Sequence, residues 1–147
     1  MTKKLSALML SGIIIVLLAA CNTTTYKHNY TFTGEGKVWS AEHVQKATEK
    51  ITDKKGERID YKTQQQSAFE LKYKGEQADL DKIHDFKYSY EGTTGQSRTT
   101  LTDTKGVRRG DLKSQSSKSS YEHEDSIIKV VVEWDGQKDE FELKVRK

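Results

Sequence analysis

The sequence predicts an all-β body, a sandwich of short antiparallel strands, carried behind an N-terminal export leader. Two observations predict the body. Apolar and aromatic residues recur with a period of two over short runs, and those runs are separated by Gly, Asp and Lys turns. The chain also contains an Asp-Gly step, Asp135-Gly136, between two β-rich segments, which is a strong hairpin signal because both residues accept positive φ. A third observation predicts the leader. Met1, Thr2, Lys3 and Lys4 precede a run from Leu5 to Ala20 that only Ser6, Ser11 and Gly12 dilute. A basic start, a short apolar core and small residues before a cut site make a secretory signal peptide, and the run is shorter than the roughly 20 residues of a spanning helix.

The leader ends at Leu18-Ala19-Ala20-Cys21, and Cys21 is the sole cysteine of the 147 residues. This spacing fits the lipobox of bacterial lipoproteins. A thiol just outside the bilayer core can be alkylated by a diacylglyceryl group, and small side chains at Ala19 and Ala20 let a membrane-embedded peptidase reach the bond before Cys21. The new terminus is then a lipid-bearing cysteine, and two acyl chains anchor stably where one does not. The expected organisation is a signal peptide over 1–20, the lipidated cysteine with a polar tether over 21–26, and a single β domain over 27–147. The expected address is the extracytoplasmic face of the cell membrane, with membrane lipid as first partner through acylated Cys21.

Of the 25 basic residues two, Lys3 and Lys4, lie in the leader, which leaves 23 against 22 acids in the body. That near-balance gives no electrostatic footprint for nucleic acid. A mean hydropathy of −0.83 for the whole chain, leader included, implies a thin core and a charge-rich surface. With one cysteine no intrachain disulfide forms, so stability rests on packing and strand pairing.

Along the body, Tyr30 and Phe32 lead to a turn at Gly34-Glu35-Gly36. In Ser40–Ile51, Ala41, Val44, Ala47 and Ile51 fall at helical spacing, with Ser40 placed to cap the start and Gly56 to end it; read locally, this is a helix. Ile59, Tyr61 and Thr63 share strand parity, as do Phe69, Leu71 and Tyr73, and Gln64–Gln66 between them reads as a bend. Asp79–Ile83 reads as one helical turn capped by Asp79. Phe86, Tyr88 and Tyr90 form a further strand. Residues 92–120 are dominated by Gly, Ser, Thr and Lys, and read as a weak strand near Arg98–Asp103 followed by a long mobile loop over about 104–120.

The last two strands carry their own register. Ile128, Val130, Val132 and Trp134 alternate onto one face, as do Phe141, Leu143 and Val145. A two-residue loop sets Glu133 opposite Lys138, Lys129 opposite Glu142, Val130 opposite Phe141 and Ile128 opposite Leu143. A four-residue loop opposes Glu133 to Glu140 and Lys129 to Lys144. Opposite charges across a ladder help by a few tenths of a kcal/mol and like charges hurt, which favours the shorter loop.

Tyr30–Glu35 with Trp39-Ser40-Ala41-Glu42, Phe69–Gly75, and Ile127–Gln137 through Phe141–Lys144 resemble small lipoproteins of Gram-positive bacteria whose function is uncharacterised. The similarity covers most of the body, through strand and turn motifs rather than catalytic ones. It implies an immunoglobulin-like β domain, in which Lys37–Gln45 is strand rather than helix. It transfers no functional residues.

Candidate sites are few. His28, His43, His84 and His123 include no pair at metal-ligand spacing. Glu122-His123-Glu124-Asp125 comes nearest, but neighbours on an extended chain point to opposite sides, so two at most could share a cation. No metal and no cofactor is expected. Lys105, Arg108, Arg109, Lys113 and Lys118 make a basic stretch able to touch a wall polyanion or lipid headgroups. Trp39, Trp134, Tyr30, Tyr61, Tyr73, Tyr88 and Tyr90 at strand period read as core, or as a ligand face. No nucleophile elbow, phosphate loop or catalytic triad context occurs. The expected function is non-enzymatic: a binding or envelope-interaction module whose further partner is an envelope protein or wall polymer. An accessory subunit of a membrane or wall enzyme, or an envelope hydrolase, are the alternatives.

Overall fold

The computed structural model describes residues 22–53 and 59–147. The chain is all-β: one curled antiparallel sheet of eight strands in the order β5-β4-β7-β8-β1-β2-β3-β6. These are β1 (Asn22–Glu35), β2 (Trp39–Asp53), β3 (Asp60–Tyr73), β4 (Phe86–Gly92), β5 (Gly95–Leu101), β6 (Lys113–Lys118), β7 (Ile128–Trp134) and β8 (Gln137–Val145). Among the described residues the one α-helical element, α1, spans Gln77–Leu80.

The sheet folds along the seam between β1 and β8. Their ladder is short, pairing Phe32 with Val145 and Thr33 with Lys144, and Arg146 N–H donates to Thr31 O at 2.9 Å. Gly34 lies beside this seam because an added Cβ would overlap the Glu142 carbonyl oxygen. Curling brings β1-β2-β3-β6 to face β5-β4-β7-β8 across one core. Phe69 of β3 stacks on Tyr90 and Tyr88 of β4, with centroids 4.1 and 5.7 Å apart. Trp39 of β2 meets Phe86 at 5.5 Å and Trp134 at 5.7 Å. Phe32, Trp39, Val130, Val132 and Leu143 are fully buried, so strand alternation delivers one set of side chains inward from both halves.

The register of β7 and β8 is the one that charge pairing favours. Ile128 opposes Leu143, Lys129 opposes Glu142, Val130 opposes Phe141 and Glu133 opposes Lys138. Asp135 and Gly136 take φ values of 42° and 78°, as a two-residue hairpin loop requires.

Five local expectations are corrected. Residues 40–51 belong to strand β2, against the local helical spacing and in line with the strand that the resemblance implies for Lys37–Gln45, which begins at Trp39; the inward set is Trp39, Ala41, His43, Gln45 and Ala47, and its buried polar members break the apolar alternation. Gln64–Gln66 is no bend but the middle of the continuous strand β3, with Gln65 buried. Asp79 lies inside the first turn of α1, whose N-cap is Glu76 without a side-chain cap bond. Residues 104–120 hold a 3-10 turn at Arg109–Leu112 and the edge strand β6; Val107 and Leu112 are buried, and Val107 N–H donates to Leu80 O at 2.9 Å. Two apolar anchors and a ladder to β3 fix that stretch. Likewise 22–26, expected as a tether, are the opening residues of β1. Gly56 lies outside the described residues.

Both edge strands are polar. β5 reads Gly95-Gln-Ser-Arg-Thr-Thr-Leu101 and β6 reads Lys113-Ser-Gln-Ser-Ser-Lys118, which blunts the edges against addition of a further strand.

Candidate functional site

Two regions gather functional side chains, one at each end of the inner face. At the Asp135-Gly136 turn the hairpin tip is tied down by its own acid. Asp135 Oδ1 accepts the N–H groups of His84 and Asp85 at 3.1 and 2.9 Å. Beside this turn runs an open groove of about 650 Å³, lined by Phe86, Leu101 and Trp134 and rimmed by Lys87, Glu133 and Lys138. Lys87 Nζ lies 2.9 Å from Glu133 Oε2, and Lys138 pairs with Glu140 at 2.8 Å. Trp134 is only partly buried and stands edge-on to Trp39. Phe86 is buried, so the accessible floor is Trp134 with Leu101; with its mixed-charge rim it suits a polar ligand with one flat apolar face.

Toward the opposite end the inner face turns polar. His43, Gln45, Gln65 and Ser67 point inward from β2 and β3 where aromatic residues stood further along. The segment after β6 crosses this opening and is held by Gln45. Its amide donates to Glu122 O at 2.8 Å and accepts Glu122 N–H at 2.9 Å, in the manner of a neighbouring strand. The Glu122 carboxylate then reaches the β4–β5 turn. It accepts Thr93 N–H at 3.0 Å, Thr94 N–H at 2.8 Å and both threonine hydroxyls. Burial pushes this carboxyl upward, but the four hydrogen bonds outweigh it and hold the group at about 2. Tyr121 stacks on His28 at 4.7 Å, and His28 Nε2 lies 3.6 Å from Glu49.

Burial lowers His43 below the usual histidine range; Glu122 raises it in part and Lys118 lowers it further. The ring stands 5.8 Å from Tyr90 and 6.1 Å from Phe32. Among the described residues His43 Nδ1 and Gln65 Oε1 have no protein partner, and both residues border a void of about 20 Å³. A void of that size holds one water and no substrate.

A third acid works as Glu122 does. Asp139 points inward at the start of β8 and accepts the N–H groups of Lys37, Val38 and Trp39 at 3.0–3.1 Å, pinning the β1–β2 turn. Burial raises its carboxyl, and the bonds from Val38, Lys37, Trp39 and Glu140 bring it below the usual carboxylate range. The sequence held one signal for this residue. Asp139 shares parity with Phe141 and Leu143, so it is an acid at a core position. Gln45 shares parity with Trp39, Ala41 and Ala47, but the helical spacing of Ala41, Val44, Ala47 and Ile51 masked it; Glu122 had no such signal.

The structure divides the basic stretch. Arg108, Arg109 and Lys113 gather about the 3-10 turn, where Lys113 pairs with Glu70 at 3.1 Å. Lys105 is exposed before the turn, and Lys118 stands at the far end of β6, beside the polar opening. In Glu122–Asp125, Glu122 turns inward while His123 packs on Tyr121 at 4.8 Å; among the described residues no three His, Cys, Asp or Glu side chains converge. Trp39, Tyr88 and Tyr90 are core, whereas Tyr61 is 64% exposed and departs from that reading. Leu18, Ala19, Ala20 and Cys21 lie outside the described residues. No family model matches the chain, and no curated protein or solved structure matches it.

Proposed function

We propose that this chain is a lipid-anchored, non-enzymatic binding module of a bacterial cell envelope, held at the outer face of the membrane through Cys21. The observation that carries this reading is Leu18-Ala19-Ala20-Cys21, with the sole cysteine, closing an apolar run behind two lysines. Its resemblance to small Gram-positive lipoproteins agrees with that reading. The eight-stranded curl, with two four-stranded halves facing one core, suits a sandwich of immunoglobulin-like kind. A non-enzymatic role is favoured because the buried acids are already committed. Glu122 and Asp139 are saturated with backbone and hydroxyl donors, and His43 borders a space too small for a substrate.

Replacing Cys21→Ser is expected to release the protein into the medium or to leave its leader uncut, read by mass and by membrane fractionation. Unchanged mass and unchanged fractionation would remove the anchor from the reading.

The Trp134 groove is the proposed ligand surface. A photo-crosslinking residue at Gln137, beside the groove, should trap an envelope polymer or protein in intact cells, with yield falling several-fold in Trp134→Ala. An adduct pattern indifferent to Trp134→Ala would dismiss the groove. A single membrane or wall enzyme as the adduct would mark the chain as that enzyme's accessory subunit.

A further inference from the structure

The strands β1, β2 and β3 run past their neighbours at one end. On β3 the ladder to β6 stops at Gln65, and on β1 the ladder to β8 begins only at Phe32. Beyond those points β1, β2 and β3 pair only with one another, out to Asn22 opposite Asp53 and Thr52 opposite Asp60. The projection over residues 22–28, 47–53 and 60–65 is about 20 Å long at the usual rise per residue. Strand direction places it at the end away from the Asp135-Gly136 turn, because β8 starts beyond the β1–β2 turn and runs back along β1.

Its two faces differ. Thr24, Ile51 and Tyr61 lie side by side on the inward face, followed by Tyr26. Tyr61 is 64% exposed, Tyr26 48% and Ile59 45%. On the outward face Lys50 lies directly opposite Lys62, with Lys27 and Lys46 further up and Asp60 the one acid there. Among the described residues none of these four lysines sits in an ion pair. Like charges directly across a ladder repel, so this pair is at its best beside an anion. On the inward face Glu49 Oε2 lies 3.6 Å from His28 Nε2, and Asp53 is the last residue of β2.

We infer that this projecting ribbon seats its tip in the headgroup layer of an anionic lipid bilayer, with Ile51, Ile59, Tyr61 and Tyr26 at the apolar boundary and Lys50 and Lys62 among the phosphates. Tyrosine flanked by lysine is the side-chain chemistry of that boundary. Place and charge both select a bilayer. The apolar run 5–20 ends at Cys21, and β1 begins at the next residue, so this end of the sheet is the one carried to the membrane. The inference rests on the anchored reading above and adds an orientation to it: ribbon down, Trp134 groove outward.

The test uses the full chain isolated from its host and mixed with phosphatidylglycerol or phosphatidylcholine vesicles carrying brominated lipid. The Tyr61→Trp variant places an indole in the ribbon, and the parent chain supplies the background from Trp39 and Trp134. Strong quenching is expected in phosphatidylglycerol, weak quenching in phosphatidylcholine, and a roughly twenty-five-fold weaker ribbon contact in Lys50→Gln/Lys62→Gln, since each lysine near an anionic surface contributes roughly fivefold. Circular dichroism on each variant reports the fold. Absent quenching in phosphatidylglycerol, or quenching indifferent to lipid charge and to both lysines, would overturn the inference. Flotation of the same vesicles reads the anchor separately. The anchor is read on the phosphatidylcholine arm, where the ribbon contact is weak: a chain that floats there without quenching in phosphatidylglycerol keeps the anchor and loses the ribbon contact, and a chain quenched in phosphatidylglycerol that does not float with phosphatidylcholine does the reverse.

Discussion

Glu122→Gln should unfold at a urea midpoint well below that of the parent at pH 7, with a loss of about 2–4 kcal/mol. The amide keeps one oxygen for the β4–β5 turn but turns an NH2 group toward donors that need an acceptor. Thr93 and Thr94 present four such donors, two of them backbone N–H groups. The turn they form is the corner of one half of the sheet, so its loosening frees the Tyr90 end of the core. For a domain of this size the midpoint temperature should drop by roughly 8–15 °C. The acid limb supplies a second reading. Folded Glu122 sits at about 2, below its ordinary 4.5, so the unfolded chain takes up that proton first. The parent should therefore hold this contribution above about pH 4.5 and lose it as pH falls toward 2. The variant should show a shallower limb, though Asp139, lowered in the same direction, leaves some of it in place. Equal midpoints at pH 7, or acid limbs of equal slope, would contradict the role given to Glu122.

Gly34→Ala should open the seam. The added methyl would collide with the Glu142 carbonyl oxygen and lie 3.0 Å from the Leu143 side chain. The neighbour it strikes is backbone and cannot rotate away, so β1 and β8 must separate locally. The ladder holds two residue pairs, with Arg146 N–H to Thr31 O just past it, and a shift of under an ångström removes much of it. The expected loss is about 2–4 kcal/mol. Hydrogen exchange should accelerate first at residues 31–34 and 144–146, while the β7–β8 ladder up to Leu143 keeps its protection. If the seam amides exchange at the parent rate, the close approach of β1 to β8 is not what joins the halves.

What could be read from the sequence was whatever depended on neighbours along the chain. The β7–β8 hairpin was legible because the loop chemistry of Asp135-Gly136 and the charges on both arms agreed on one register. Even there the ion pairs fall elsewhere, since Glu133 meets Lys87 and Lys138 meets Glu140. Strand β2 was misleading locally because His43 and Gln45 occupy core positions, leaving Ala41, Val44, Ala47 and Ile51 to mimic a helical stripe. Burying Gln45 is favourable only because the Glu122 backbone, 77 residues away, satisfies its amide. No local pattern announces that partner. Strand β6 has no apolar residue and is strand solely through its ladder to β3. The basic residues suffered likewise: their sequence closeness suggested one patch, and the direction of β6 carries Lys118 away from Arg108 and Arg109. Tyr61 kept strand parity but lies past the point where β6 and the rest of the body end.

The narrow seam sets an order of assembly. β1, β2 and β3 are consecutive in the chain and close short loops, whereas Phe32 must wait for Val145, more than a hundred residues downstream. Short closures precede long ones, so a chain emerging amino end first should form its three-stranded meander early and close the barrel-like curl last. Until β8 arrives, the meander exposes Phe32, Trp39 and Phe69. A holding factor that binds apolar strands would find its target during that interval, and truncation before Gln137 should leave a species that aggregates.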